Sequence, residues 1–193
     1  MAPVAASEFL TTTIQSAAAE LDDFDAIVRL HWPGVFRFAL SSVRDRDAAQ
    51  TLTQDCLINA WRARSTFRGG STVKTWIMRI AVNLVRDHTR NRRLQFWKRV
   101  TAHALDIHAV AGERIADENI SSETRILRNE RIRAVWQVTG TLPEKQRTAF
   151  LLRFVEDMDL LEIAAAMGLK EGTVKVHLFR AVQSVRQRLE GME

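Results

Sequence analysis

Basic side chains are concentrated in one part of this sequence. Residues 62–99 contain eleven Lys or Arg and one acid, Asp87, which gives this segment a charge of +10 in a chain whose total is +5. The acids that normally intersperse a solvated helix face are missing here, so the pattern favours the binding of a polyanion over a solvated face. Nucleic acid is the usual polyanion.

A second pattern, at residues 159–181, is typical of a helix-turn-helix. Asp159 and Glu162 form an Asp-x-x-Glu helix start, and Gly168 suits a left-handed turn. Apolar residues then recur at i, i+4 and i+7 of the next helix, whose other face could enter the major groove of duplex DNA. The candidate DNA contacts are Thr173, Lys175, Val176, His177, Phe179 and Arg180. The alternative is a helical hairpin that does not bind DNA.

No set of residues predicts catalysis, so we expect no enzyme activity and no cofactor. The five histidines show no metal-ligand spacing, and Cys56, the single cysteine, excludes an internal disulfide and a cysteine-rich zinc site. The chain has no phosphate-binding glycine loop. It also lacks tyrosine, which excludes a tyrosine recombinase.

The elements that position these residues are predicted to be helices alone, because the chain has only 3 Pro and 8 Gly and long stretches without turn signals. Pro33-Gly34 is expected to interrupt or kink the first helix, and Ser71 is expected to cap the third. The predicted helices span residues 24–40, 46–63, 71–93, 121–139, 144–155, 159–167 and 172–189.

Composition places the chain among ordinary globular proteins, with 46% hydrophobic and 26% charged residues. No apolar run approaches the ~20 residues that span a bilayer, and the N-terminus lacks the pattern of a signal peptide. The expected localisation is cytoplasmic, without membrane insertion.

The segment FRGGSTVKTWIMRIAVNLVRDHTRNRR (67–93) closely resembles the second conserved region of bacterial extracytoplasmic-function (ECF) sigma factors. LTQDCLINAW (52–61) resembles a motif upstream of that region, and residues 142–181 resemble the family's fourth region. The resemblance covers most of residues 24–190 in the family's order. The matching positions in 67–93 are Phe67, Arg68, Gly69, Ser71, Trp76, Ile77, Ile80, Ala81, Asn83, Asp87 and Arg90.

This resemblance implies a dissociable specificity subunit of bacterial RNA polymerase with two helical domains. It implies an N-terminal arm (1–23), region 2 (24–95) as a three- to four-helix bundle, a linker (96–120) and region 4 (121–193) with the helix-turn-helix. Region 2 would bind core polymerase, recognise the −10 element and melt it. Region 4 would read the −35 element with the six contacts given above.

Specific residues follow from the same resemblance. Trp61 and Trp76 could equally be core residues, since both fall near apolar stripes. The implied contacts to core polymerase are Leu52, Gln54, Asp55, Asn59 and Trp61. The implied contacts for −10 binding and melting are Phe67, Arg68, Ser71, Lys74, Thr75, Trp76, Arg79, Asn83, Arg86 and Arg90.

The sequence departs from the family at a few positions. Gln50-Thr51 replaces a usual acidic pair, and Val176 and Lys170 replace common hydroxyl or proline residues of the recognition helix. The implied partners are core RNA polymerase, promoter DNA and an anti-sigma factor, which is often membrane-anchored in this family. The alternative function is a one-component helix-turn-helix regulator that binds duplex operator DNA.

Overall fold

The computed structural model describes residues 20–102 and 135–190, and all regular secondary structure within these ranges is helical. This confirms the predicted all-α class. The helices are α1 (Phe24–Val43), α2 (Arg46–Ala63), a 3-10 turn (Arg64–Thr66), α3 (Val73–Ala102), α4 (135–141 of the described chain), α5 (Glu144–Phe154), α6 (Leu160–Met167) and α7 (Glu171–Glu190).

Helices α1 and α2 begin at aspartate caps. Asp23 accepts hydrogen bonds from the amides of Asp25 and Ala26, and Asp45 accepts one from Ala48. Such caps satisfy backbone donors that have no partner inside the helix. The predicted bounds of the second helix, 46–63, are confirmed.

Of the two effects expected at Pro33-Gly34, an interruption or a kink, the interruption is wrong. Helix α1 continues through Pro33 to Val43, and Val35, Phe38 and Ala39 beyond the proline are buried. An interior proline costs about 3 kcal/mol. Burying these side chains offsets that cost, because a fully buried Phe or Val contributes about 1.5–3 kcal/mol.

Helix α3 differs from its prediction at both ends. Its cap is Thr72 and not Ser71, since the amide of Thr75 donates to Thr72 Oγ1 at 3.1 Å. The helix also runs past residue 93 to Ala102, because no Gly or Pro between Val73 and Ala102 stops it. The arm residues 1–19, the remainder of the predicted linker and residues 121–134 of the predicted fourth helix lie outside the described residues.

The helix-turn-helix prediction is confirmed in its details. Asp159 and Glu162 form a reciprocal capping box with bonds of 2.8 and 3.0 Å, and Gly168 adopts φ 63° at the end of α6. A left-handed conformation of this kind is costly for residues with a Cβ. Helix α7 then buries Val174 and Ala181 on the inner face.

The two modules, α1–α3 and α4–α7, pack directly against each other. One continuous apolar cluster includes Phe38 and Ile77 from the first module and Leu152, Ile163 and Val174 from the second. The sequence predicts two modules joined by a linker, but it contains no local signal for this shared core.

Candidate nucleic-acid interface

The basic surface of the first module is an exposed stripe along α3. Arg79, Asn83, Arg86 and Arg90 follow the spacing of one helix face, and all four are exposed. Asp87, the one acid nearby, lies 3.3 Å from Arg90 and 3.8 Å from Arg86. Three guanidinium groups and one amide therefore face solvent on a single surface, which we call the α3 stripe.

An aromatic pair joins the loop before α3 to the first turn of that helix, with Phe67 in the loop and Trp76 in α3. Their ring centroids are 5.5 Å apart in an edge-to-face arrangement, and both residues are partly buried against the core. Trp76 therefore has one packed side and one accessible side. Gly69 has φ 70° and turns the loop, while Arg68 is exposed and Ser71 is half-buried.

Lys74 and Thr75 do not join the α3 stripe, because both contact the second module. Lys74 Nζ donates to the backbone carbonyl of Glu156 at 2.5 Å, and Thr75 Oγ1 donates to Glu162 Oε1 at 3.1 Å. Thr75 is only 1% exposed. Of the ten predicted −10 contacts, Lys74 and Thr75 thus lie at an interface within the molecule, and Phe67 and Trp76 pack against the core.

Glu156 is a buried acid at this interface. Arg37 donates to both of its carboxylate oxygens, from Nε at 3.2 Å and from Nη2 at 3.1 Å. Burial raises the pKa of Glu156, while the hydrogen bonds and charge of Arg37 and the charge of Lys74 act in the opposite direction. The sequence offered no signal for Arg37 or Glu156, because 119 positions separate them.

The predicted polymerase-contact residues on α2 also separate into two groups. Gln54, Asp55 and Asn59 are exposed on the outer face, whereas Leu52 lies in the core with 7% exposure. Trp61 is half-buried, with the Arg64 guanidinium 4.0 Å above its ring. The ring of Phe24 meets Trp61 edge-on at 5.6 Å.

Two exposed apolar residues next to this face were missed by sequence reasoning. Phe24 is 37% exposed and Ile58 is 39% exposed. Ile58 lies within the LTQDCLINAW motif. It is not among the residues that form the buried face of α2. The signal available in the sequence was an isoleucine that falls outside the apolar spacing of Ala49, Leu52, Cys56 and Ala60.

The recognition face of the second module is exposed on α7. Thr173, Val176 and Arg180 share one face at i, i+3 and i+7, and Phe179 next to them is 65% exposed. Lys175 is also exposed and is bridged to Glu171 at 2.7 Å. This arrangement fits insertion into a groove of duplex DNA, where exposed side chains of a helix reach the base edges.

His177 differs from the other predicted contacts because it is half-buried. Its Nδ1 is buried, and no partner for it exists among the residues that the structure describes. Burial lowers the pKa of His177, and the charges of Lys145 and Arg180 lower it further. A lowered pKa favours the neutral form of the ring.

Cys56 has no chemical role in this surface. It is fully buried in the first module, and burial raises the pKa of its thiol to about 12. A neutral buried thiol behaves as a small apolar side chain.

In the described part of the chain, no helix combines the length and apolarity needed to cross a bilayer.

Comparisons with known proteins match both modules to one family. Residues 27–95 match sigma-70 region 2, and residues 132–185 match sigma-70 region 4. The RNA polymerase sigma-H factor of Pseudomonas aeruginosa is 34% identical over 169 residues, which cover 86% of each chain. The ECF RNA polymerase sigma-E factor of Escherichia coli K12 is 31% identical over 146 residues, which cover 72% of each chain.

Solved structures show the same fold. The sigma factor RpoE from Bartonella quintana, in complex with the anti-sigma factor NepR, has a TM-score of 0.65 at 24% identity and covers 87% of this chain and 97% of its own. CnrH in complex with the cytosolic domain of CnrY has a TM-score of 0.64 at 20% identity and covers 95% of this chain and 98% of its own.

Both the sequence relatives and the two matched regions support an initiation factor over a one-component regulator. The chain belongs to the ECF subfamily of the sigma-70 family and is an RNA polymerase sigma factor.

Proposed function

We propose that the two modules divide promoter recognition between them. The first module, with domain bounds 24–95, binds core polymerase and opens the −10 element. The second, with bounds 121–193, reads the −35 element as duplex. The observation that carries this proposal is the exposed α3 stripe, in which three arginines flank Asn83 on one helix face.

Strand opening needs a surface that holds a single strand better than a duplex. The guanidinium groups of the α3 stripe attract the backbone of the strand, and the Asn83 amide can both donate to and accept from a base edge. The partly accessible Trp76, set against Phe67, offers a ring on which an unstacked base could stack. Stacking of this kind is worth about 1–3 kcal/mol per base.

Core polymerase binds, in this proposal, to the outer face of α2. Gln54, Asp55 and Asn59 supply polar contacts, and Trp61 supplies an aromatic anchor of the kind that dominates interface energies. Leu52 holds the helix in the module from within the core. Exposed Ile58 adds apolar area beside Asn59.

Reading of the −35 element is assigned to α7. Arg180 and Lys175 can pair with guanine or with phosphate, and Thr173 lies in the first turn of the helix, where backbone amides favour phosphate. The half-buried, neutral His177 supports the helix more than it contacts DNA.

The factor acts without chemistry of its own, in the cytoplasm where its polymerase acts. An anti-sigma factor is a further partner, because the related fold of Bartonella RpoE was solved with the anti-sigma factor NepR bound. Such a partner could be membrane-anchored.

Transcription in vitro with purified bacterial core polymerase and genomic DNA fragments tests the proposal. Protein-dependent transcripts from discrete start sites are expected, and their upstream sequences give both promoter elements. Absence of transcripts together with failure to co-elute with core would contradict it.

Two variants then test the division of labour. Arg79→Ala should slow open-complex formation while leaving core binding unchanged, and Arg180→Ala should reduce initiation at promoters that depend on the −35 element. Arg29→Ala, which removes an exposed arginine of α1, is the control for net charge. Equal loss of core binding and promoter opening in Arg79→Ala would contradict the assignment.

A further inference from the structure

The contact between the two modules has the composition of an anion-binding site. Arg37 from α1 and Lys74 from α3 both direct their donors at Glu156, which follows α5 in the second module. Glu156 is 3% exposed, and a cavity of about 480 Å³ lies beside the three side chains. The Arg37 side chain remains 51% exposed, so one side of the site is open to solvent.

The close approach of Glu156 depends on Gly34. A Cβ at this position would lie 2.7 Å from Glu156 Oε2, so any side chain there would collide with the carboxylate. The first module thus provides two cationic groups and a notch without a side chain. Glu156 inserts its carboxylate into that notch.

The packed arrangement cannot be the one that engages a promoter at both elements. The −10 and −35 elements have centres about 25 base pairs apart, which is roughly 85 Å of B-form duplex at ~3.4 Å per base pair. Modules in hydrogen-bond contact cannot reach both elements. The modules must separate, and separation leaves Arg37 and Lys74 without the groups they bind here.

A carboxylate bound by two nitrogens along one edge of a guanidinium has the geometry that an arginine also offers to phosphate. Lys74 supplies a second positive charge to the same site. Lys74 also lies in the first turn of α3, between the loop that carries Arg68 and the start of the α3 stripe. Lys74 lies on the side of α3 opposite the stripe, so a nucleic-acid strand would reach this site by crossing the N-terminal end of the helix beside that loop.

We propose that Arg37 and Lys74 form a binding site for a phosphate of the promoter backbone, which Glu156 occupies until the modules separate. This inference rests on the proposed function, because it requires the first module to bind DNA near α3. It adds Arg37 to the DNA contacts and assigns to Glu156 the role of an internal competitor.

Two variants that break the same ion pair distinguish this site from a merely structural pair. Both are compared with wild type, as full-length free protein, for binding to a fluorescein-labelled single strand that carries the −10 region of a promoter mapped by transcription. Glu156→Gln removes the competitor and should tighten binding by about fivefold. Arg37→Ala also breaks the ion pair but removes the phosphate contact, so it should bind no more tightly than wild type.

Salt dependence supplies the second readout. Loss of one phosphate contact makes the slope of log affinity against log salt shallower by about 0.7 for a single strand. This change is expected for Arg37→Ala and not for Glu156→Gln. Arg29→Ala removes an exposed arginine from the same helix and should change neither the affinity nor the slope beyond a small general charge effect. Thermal unfolding of each variant confirms that it folds.

Equal tightening by Arg37→Ala and Glu156→Gln would show that Arg37 is only half of a structural pair, and the site would be rejected. Unchanged binding by Glu156→Gln would reject Glu156 as a competitor. Failure of the proposed function has a different signature, since wild-type holoenzyme would then produce no transcripts, a measurement that involves neither variant.

Discussion

The exposed valine at position 176 predicts a methyl-dependent reading of the −35 element. Val176 is 46% exposed on the recognition face of α7, beside Phe179 at 65% exposure. Neither side chain has a polar atom to offer a base edge. In the major groove, the 5-methyl group of thymine is the apolar partner for such side chains. We therefore expect at least one thymine methyl of the −35 element to contact Val176.

The expected magnitude follows from the area that such a contact removes from water. Burial of one methyl or methylene group contributes about 0.8 kcal/mol, which corresponds to about a fourfold change in affinity. Replacing that thymine with deoxyuridine removes the methyl group and leaves every hydrogen-bonding group of the base pair in place. The loss should therefore be about fourfold at one position and near zero elsewhere.

The assay is competition for holoenzyme between a fluorescent promoter duplex and duplexes with single deoxyuridine substitutions in the −35 element. Val176→Thr keeps the shape of the side chain but replaces one of its two methyl groups with a hydroxyl, and it should reduce the difference between thymine and deoxyuridine. Val182→Thr is the matched control, because Val182 is 42% exposed on the same helix but lies nine residues, about two and a half turns, beyond Thr173.

Two results would refute this reasoning. One is a set of deoxyuridine duplexes that all bind as tightly as the parent promoter. The other is Val176→Thr holoenzyme that retains the full fourfold discrimination. Loss of discrimination in Val182→Thr would instead move the contact further along α7.

Three further predictions concern stability. Phe38→Ala should lower the free energy of unfolding by about 3–5 kcal/mol in urea titrations, because Phe38 is fully buried; a loss below about 1 kcal/mol would show that it is not a core residue. Asp159→Ala should lower the free energy of unfolding by about 1 kcal/mol through loss of the capping box. Asp159→Asn should keep most of that stability, because asparagine is also a good N-cap residue. Cys56 should resist the thiol reagent DTNB until urea unfolds the chain, and wild type should lose stability relative to Cys56→Ala as pH rises from about 9 to 12. The thiol ionises at lower pH in the unfolded state than in the folded state, so rising pH favours unfolding of wild type. The free energy of unfolding should fall by up to ~1.4 kcal/mol per pH unit relative to Cys56→Ala. Equal dependence of stability on alkaline pH in the two proteins would contradict this prediction.

Local signals in the sequence predicted the local structure well. The bounds of α2 and the capping box of α6 were predicted because apolar spacing and cap residues act within one or two turns of a helix. The cap of α3 was assigned one residue too early, since Ser71 and Thr72 offer the same hydroxyl chemistry. Thr72 prevails because its Oγ1 reaches both the amide and the hydroxyl of Thr75.

Long-range contacts could not be predicted in the same way. Arg37 is one of two arginines in α1, and Glu156 lies beside Asp157 and Asp159 in the segment between α5 and α6. Nothing within ten residues of either position indicates the other. The roles of Lys74 and Thr75 changed for the same reason, because their partners belong to the distant second module.

The apolar core that joins the two modules has a consequence for competition among initiation factors. A chain whose open form is a minor fraction of the population binds core polymerase with an apparent affinity reduced by that fraction. If core polymerase binds only the open form, packing of Leu152 and Ile163 against the first module weakens the hold of this factor on a limited supply of polymerase. Substitutions that loosen this packing without unfolding either module should let the factor displace its rivals at lower concentration.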